Sequence, residues 1–569
     1  MTLLAEGAPA RPGPWHRLRR LGWPGWVSIL LTALLLAPVL AVLVNVFAPG
    51  NGTMSHLAET VLGGYIVNTV GLAIGTGIGV LVIGAGLGWL VTMCDFPGRR
   101  FFEWGLVLPL AVPAYVMAFV YVQLLQYAGP VQSWMRGVTG WGHGDYWFPE
   151  IRSLGGAIAM LVFVLYPYVY LLARAAFIEQ SVCALDVSRT LGCSAWGSFY
   201  RVALPLARPA IAAGVALALM EAVADFGVVS YFDLPTFTTG IYRAWFSFSD
   251  HVAAAQLSSA LLGIVFGILL LERVLRGRSR YHHTSGRYRP LVRYRLRGIR
   301  AAFACLAAAL PLGIGFLLPA IILLQLTIKH GDQQFGARYL ELARNSVTLA
   351  GLAAAIAVTA GFLVALAARI RPGYAPHIAM RVAGLGYAVP GAVIAIGVLL
   401  PVTAFDNAVD GAMRNLFGVS TGLIFSGSIF ALLYAYTVRF LASALQPIEA
   451  GLQTVTPGMD SAARTLGRGP LGLVTDVHAP LIWPSLLTAA LLVFVDVMKE
   501  LPATLIMRPF NFDTLAVQAF NLARDERLAE ASTPSLTIVA VGLLPVFLLS
   551  RAIARGRPGR SPLISGSDR

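Results

Sequence analysis

The sequence predicts an all-α integral membrane protein of about twelve transmembrane helices arranged as two homologous six-helix halves. Three observations carry this prediction. Hydrophobic residues make up 57% and charged residues 12%, with a mean hydropathy of +0.73, which lies outside the range of soluble globular chains. The apolar residues gather into runs near the roughly 20 residues that a helix needs to cross a bilayer. A polar stretch then occurs twice, displaced by 275 positions.

In chain order, residues 1–25 form a basic, proline-containing arm. The apolar run that follows exceeds a signal-peptide core and lacks a clear small-residue cleavage site, so it reads as an uncleaved first span. Apolar runs fall at about 26–48, 65–92, 103–127, 154–177, 204–228 and 254–271, which defines a first repeat over 26–272. Residues 273–300 form a basic linker. Runs resume at about 301–326, 344–368, 379–403, 419–441, 481–505 and 534–553, giving a second repeat over 301–553 and a tail over 554–569. Runs of this length suit helices rather than barrel strands, because every backbone polar group must be satisfied internally in lipid.

Charge placement sets the orientation. Arg11, Arg17, Arg19 and Arg20 lie in the arm, ten arginines lie in 273–300, and residues 49–64 contain no Arg or Lys. Cationic loops stay on the cytoplasmic side, so both termini are predicted to be cytoplasmic in a bacterial inner membrane. The net charge of +15 therefore reflects topology and lipid contact, not nucleic-acid binding. Cys94, Cys183, Cys193 and Cys305 show no CxxC spacing and imply no disulfide framework.

The repeated stretch is Asp186-Val187-Ser188-Arg189-Thr190-Leu191-Gly192, continuing to Pro205, and Ser461-Ala462-Ala463-Arg464-Thr465-Leu466-Gly467, continuing to Pro480. Landmarks outside it recur at a displacement of 277: Asn68-Thr69-Val70 matches Asn345-Ser346-Val347, and Ala111-Val112-Pro113 matches Ala388-Val389-Pro390. Each half has an even number of spans, so the repeats are parallel about an axis along the membrane normal.

The chain carries no catalytic constellation. Its lysines are Lys329 and Lys499, and neither follows a glycine, so no Gly-Lys-Ser/Thr phosphate loop exists. Gly75, Gly79, Gly84 and Gly88 have the spacing of helix packing rather than phosphate binding. No metal ligand set or resident cofactor is assigned, and the chain is not predicted to be an enzyme.

Charges inside the spans are the remaining signal. Glu221 and Asp225 lie one turn apart, and Asp496 and Glu500 stand 275 positions later, with Lys499 beside Glu500. At 1.5 Å per residue the first two lie about 25–30 Å beyond Pro205, towards the outer face. Intramembrane acids usually face a cavity or a partner. Two readings stay open: a pathway lining or outer gate for a cation, relieved of self-repulsion by Lys499 or a passing cation, or a set of interhelical ion pairs and hydrogen bonds.

The repeated loop resembles the cytoplasmic signature of ABC importer permeases, an E-A-A triplet followed by glycine and then I-x-L-P. Here Ser461 stands at the acid's place in the second copy, and Asp186 retains it in the first. The resemblance implies that two copies of an ABC ATPase grip these loops through Asp186, Ser188, Arg189, Gly192 and Pro205, and through Ser461, Ala463, Arg464, Gly467 and Pro480. ATP and Mg would then be bound by those partners, and a periplasmic binding protein would deliver the solute. The stretches from Phe237 to Phe246, Lys499 to Leu505, Arg508-Pro509-Phe510 and Asp525 to Ala531 further resemble fused, double-length iron(III) transport permeases. This likeness covers nearly the whole chain apart from the first 20 residues and the tail. It implies ferric iron as the solute, with thiamine, phosphonate, polyamine or an anion as alternatives. A secondary transporter using the buried acids as relays is the competing class, but it has no need of the repeated loop.

Overall fold

The computed structural model describes residues 22–142, 144–179, 190–276, 293–330, 336–370 and 373–555. Among these residues, twelve helices are long and apolar enough to cross a membrane. They are Pro24–Phe47, Leu62–Met93, Ala114–Thr139, Leu154–Ile178, Phe199–Ala224 and His251–Arg276 in the first half. Ile299–Lys329, Ala337–Ile370, Gly391–Phe417, Ile429–Thr454, Val474–Met498 and Leu528–Phe547 make up the second. They are numbered below as spans one to twelve.

Spans three, nine and ten start about ten residues later than the apolar runs predict. The reason for spans three and nine is the repeated Ala-Val-Pro. Pro113 and Pro390 hold extended backbone at φ −60, ψ 140 and φ −56, ψ 140, and each precedes the first helical residue of its span. A proline cannot continue the preceding helix but is well placed at a helix entry. The apolar residues ahead of it instead form the short helices Arg99–Gly105 and Tyr374–Leu385. Hydropathy alone cannot see that break.

The duplication reaches down to the backbone. Four-residue helical segments at Ala195–Ser198 and Pro470–Leu473 each run into a π-helical turn, Phe199–Ala203 and Val474–His478, and then into spans five and eleven. The prolines of the repeated loop lie inside the helix, which begins about ten residues before them. The wide π turn just ahead absorbs the bonding that Pro205 and Pro480 disrupt. Left-handed backbone also recurs at equivalent places, at Asp233 (φ 53) and Asn511 (φ 62), and at Ser249 (φ 51) and Glu526 (φ 60).

The chain forms two compact units that cut across the sequence halves. One comprises Met1–Ala37, Ala354–Tyr387 and Phe440–Val493, and the other Pro38–Ala353, Ala388–Arg439 and Phe494–Arg569. In the first unit, Gly361 packs on Ile448 and Leu441, and Gly451 on Ser485 and Ile482. The second unit is built around spans two and four. Gly75, Gly79, Gly84 and Gly88 meet Ile158, Val162, Val169 and Ala173 of span four, as the GxxxG spacing within the pairs 75/79 and 84/88 predicts. Val67, Ile74, Ile78 and Val82 of span two are exposed, which suits lipid.

Of these four, Gly84 comes closest to backbone: an added Cβ would lie 2.9 Å from the Tyr166 carbonyl oxygen and 3.0 Å from the Tyr170 nitrogen. Backbone cannot yield as a side chain can, so Gly84→Val should force the helices apart at about 1–3 kcal/mol. Gly86, two residues on, has nothing within 4 Å. Gly86→Val should therefore leave the melting temperature in detergent unchanged, whereas Gly84→Val lowers it by several degrees.

Candidate functional site

The second repeated loop is a helix, Pro457–Thr465, with proline in its first turn. Gly467 ends it with φ +81: its N–H donates to the Arg464 carbonyl at 3.0 Å, and the Arg468 N–H donates to the Ala463 carbonyl at 3.1 Å. This paired closure requires a left-handed residue, which glycine supplies without strain. Gly192 has φ +78 in the first loop. Asp186, Ser188 and Arg189 lie outside the described residues. Ser461 donates to its own turn at the Pro457 carbonyl, Ala463 is buried, and Arg464, Pro205 and Pro480 are exposed.

Sequence reasoning missed the most telling side chains of these loops. Leu191 and Leu466, the residues before the two glycines, are 77% and 81% exposed. Their recurrence at a displacement of 275 was the available signal. A leucine held outward twice on the same turn presents apolar surface to something other than this chain's core.

Beneath the second loop lies a buried ionic group. Arg369, at the end of span eight, donates to the Leu452 and Val455 carbonyls at 2.7 Å each and to Asp460 Oδ2 at 3.0 and 3.2 Å. His478 Nε2 donates to Asp460 Oδ1 at 2.8 Å. Burial pushes the Asp460 carboxyl up, but the hydrogen bonds from His478 and Arg369 outweigh it and hold its pKa below the usual carboxylate range. A depressed folded pKa contributes stability above the unfolded value of about 3.9 and loses it only as the pH falls through the lower folded value. The group is thus intact at physiological pH.

The five charges at the ends of spans five and eleven separate into two kinds. Asp225 Oδ1 accepts from the Val228 N–H at 2.8 Å, at the start of the short helix Gly227–Tyr231. Glu500 accepts from the Ala503 N–H at 3.0 Å and the Thr504 N–H at 3.1 Å, at the start of Pro502–Met507. The repeated acids thus play the same local role, since each ends a spanning helix and caps the short helix that follows. Glu500 also accepts from Arg439 Nη1 at 3.0 Å, and Thr504 Oγ1 donates to it at 2.6 Å. Its carboxylate is 2% exposed.

Lys499 stands next to Glu500 in sequence, but its partner is another of the acids. Lys499 Nζ bonds Asp496 Oδ1 at 3.0 Å, one turn back. A ring of four uncompensated acids is therefore not what these residues form. Arg439 escapes a reading of the sequence that looks only for acids. A lone arginine inside an apolar run implies a buried acidic partner, and that is the signal that could find it.

The repeated pair Asn68-Thr69 and Asn345-Ser346 has an equally specific role. Asn68 donates to the Pro235 carbonyl at 3.0 Å and Thr69 Oγ1 accepts from the Phe237 N–H at 3.3 Å. Asn345 donates to the Asp513 carbonyl at 3.2 Å, and Ser346 Oγ accepts from the Leu515 N–H at 2.8 Å. Each pair pins the entry of the helix that follows the break, Phe237–Tyr242 or Leu515–Arg524.

Residues 84–277 match the family described as the binding-protein-dependent transport system inner membrane component. That stretch contains the first repeated loop and the first helix break. The chain is 30% identical over 223 residues to the sulfate transport system permease protein CysW of Escherichia coli, covering 72% of that protein and 39% of this chain. The chain belongs to this family. It is a multi-pass inner-membrane permease of an ABC importer. Over 541 residues it is 26% identical to the Fe(3+)-transport system permease protein FbpB 2 of Haemophilus influenzae, covering 93% of this chain and 98% of that one. The putative ferric transport system permease protein FbpB 1 of the same organism is 24% identical, covering 84% and 77%. These relatives are permease subunits. The double-length layout is therefore shared with proteins named for ferric transport, whereas the single-length relative aligns with only part of the chain.

Proposed function

We propose that this permease carries ferric iron, delivered by a periplasmic binding protein, and that two ATPase subunits drive it through the loops around Gly192 and Gly467. What supports the ATPase contact most is the pair of outward leucines, Leu191 and Leu466, each held beside a left-handed glycine. Iron rests on similarity along nearly the full length to permeases named for Fe(3+). ATP and Mg belong to the partner subunits, since this chain has no phosphate loop of its own. Of the buried charges, Asp225 and Glu500 hold the helix breaks, and Glu221, Asp496 and Lys499 are the ones left as candidate pathway lining.

Both termini are placed in the cytoplasm by this reading. A reporter active only in the periplasm should work when fused after residue 55 or 240 and stay silent near 195, 285 or 470. Activity at residue 285 would contradict the topology. Metal analysis of the binding protein purified from the periplasm tests the solute: bound Fe(3+) is expected, and a thiamine, phosphonate, polyamine or oxyanion ligand would replace it.

A further inference from the structure

The ionic group beneath the second loop is not repeated in the sequence of the first half. The residues at equivalent positions are Thr92 for Arg369, Leu185 for Asp460 and Ala203 for His478, none of them ionisable. In the second half, Arg369, Asp460 and His478 have side chains only 19%, 16% and 0% exposed. The side-chain bonds of Asp460, to Arg369 and His478, all leave its own helix. Arg369 comes from span eight and also grips two carbonyls at and just beyond the end of span ten. His478 sits in the π turn at the start of span eleven. One carboxylate therefore joins the loop helix to the ends of three spans. The neighbouring Arg468–Asp476 pair is exposed, with side chains 60% and 41% accessible, and such pairs hold weakly.

We propose that Asp460 is a positioning residue for transport: through Arg369 and His478 it makes the second docking loop move as one body with spans eight, ten and eleven. A movement imposed at Gly467 is then passed to the spans instead of being absorbed by the loop. This rests on the reading that Gly467 lies in an ATPase-docking loop. It adds a residue whose side-chain partners, Arg369 and His478, lie within this chain.

The test uses the full chain with its ATPase in proteoliposomes. ATP hydrolysis is measured with and without the binding protein as purified from the periplasm. In Asp460→Asn the ATPase should still co-purify, but stimulation by the binding protein should fall about tenfold, and Asp460→Glu should restore at least half of it. The neutral double variant Asp460→Asn with Arg369→Gln removes the buried unpaired charge. It should regain abundance if the single change loses any, yet remain unstimulated. Wild-type stimulation in Asp460→Asn, or its return in the double variant, would overturn the proposal. Gly467→Asp is the separate control: if it keeps its ATPase, the docking reading beneath the proposal fails, whatever Asp460 does.

Discussion

Glu500→Ala is expected to be the most destabilising single change in the chain, by about 3–5 kcal/mol, because it removes the carboxylate paired with the buried Arg439 guanidinium. Two backbone donors, the Ala503 and Thr504 N–H groups, lose their acceptor in the same step. Glu500→Gln keeps an acceptor oxygen for the short helix and should lose less. Arg439→Met combined with Glu500→Gln removes both charges while preserving the cap, and should recover most of the stability. Thermal unfolding in detergent measures this order. If Glu500→Ala unfolds like the wild type while transport per molecule collapses, Glu500 belongs to the pathway and not to the frame.

The largest effect on partner binding should come from the two loops together. Gly192 and Gly467 have nothing within 4 Å of an added Cβ, so Gly→Asp there does not clash inside the chain. The backbone strain is about 1–2 kcal/mol and least for Asn and Asp, which tolerate left-handed backbone best. The fold should survive, and the charge should project where the ATPase packs. Leu191→Ser with Leu466→Ser removes the apolar anchors instead, at about 2 kcal/mol each if they act as interface hot spots. Either double variant should insert normally and retain less than about a tenth of the ATPase on co-purification. Undiminished retention in both would place the docking surface elsewhere.

Much of this architecture is legible because its signals are periodic or repeated. Twelve apolar runs predict twelve spans, and the glycine spacing in span two predicts a packing face. The displacement of 275 predicts two matching loops. What escapes has identifiable physical causes. Hydropathy does not register that Pro113 and Pro390 stop a helix whose neighbours are all apolar, so it starts two spans too early. Proline in the loop signature reads as a helix start, yet a π turn lets the helix pass through it. The repeated acids are visible, but a carboxylate capping a helix break looks the same in sequence as one lining a channel. Their partners decide between them, and Arg439 lies 61 positions from Glu500. Arg369 and Asp460 are separated by 91 positions, and nothing in the local sequence joins them.

Uptake into proteoliposomes tests the central claim most directly. The purified chain would be reconstituted alone and with its ATPase and binding protein, and Fe(3+) entry followed with and without ATP and with and without an imposed proton gradient. The account predicts uptake only with all three proteins and ATP, unaffected by the gradient. Fe(3+) entry through the chain alone, driven by the gradient and indifferent to ATP, would contradict it.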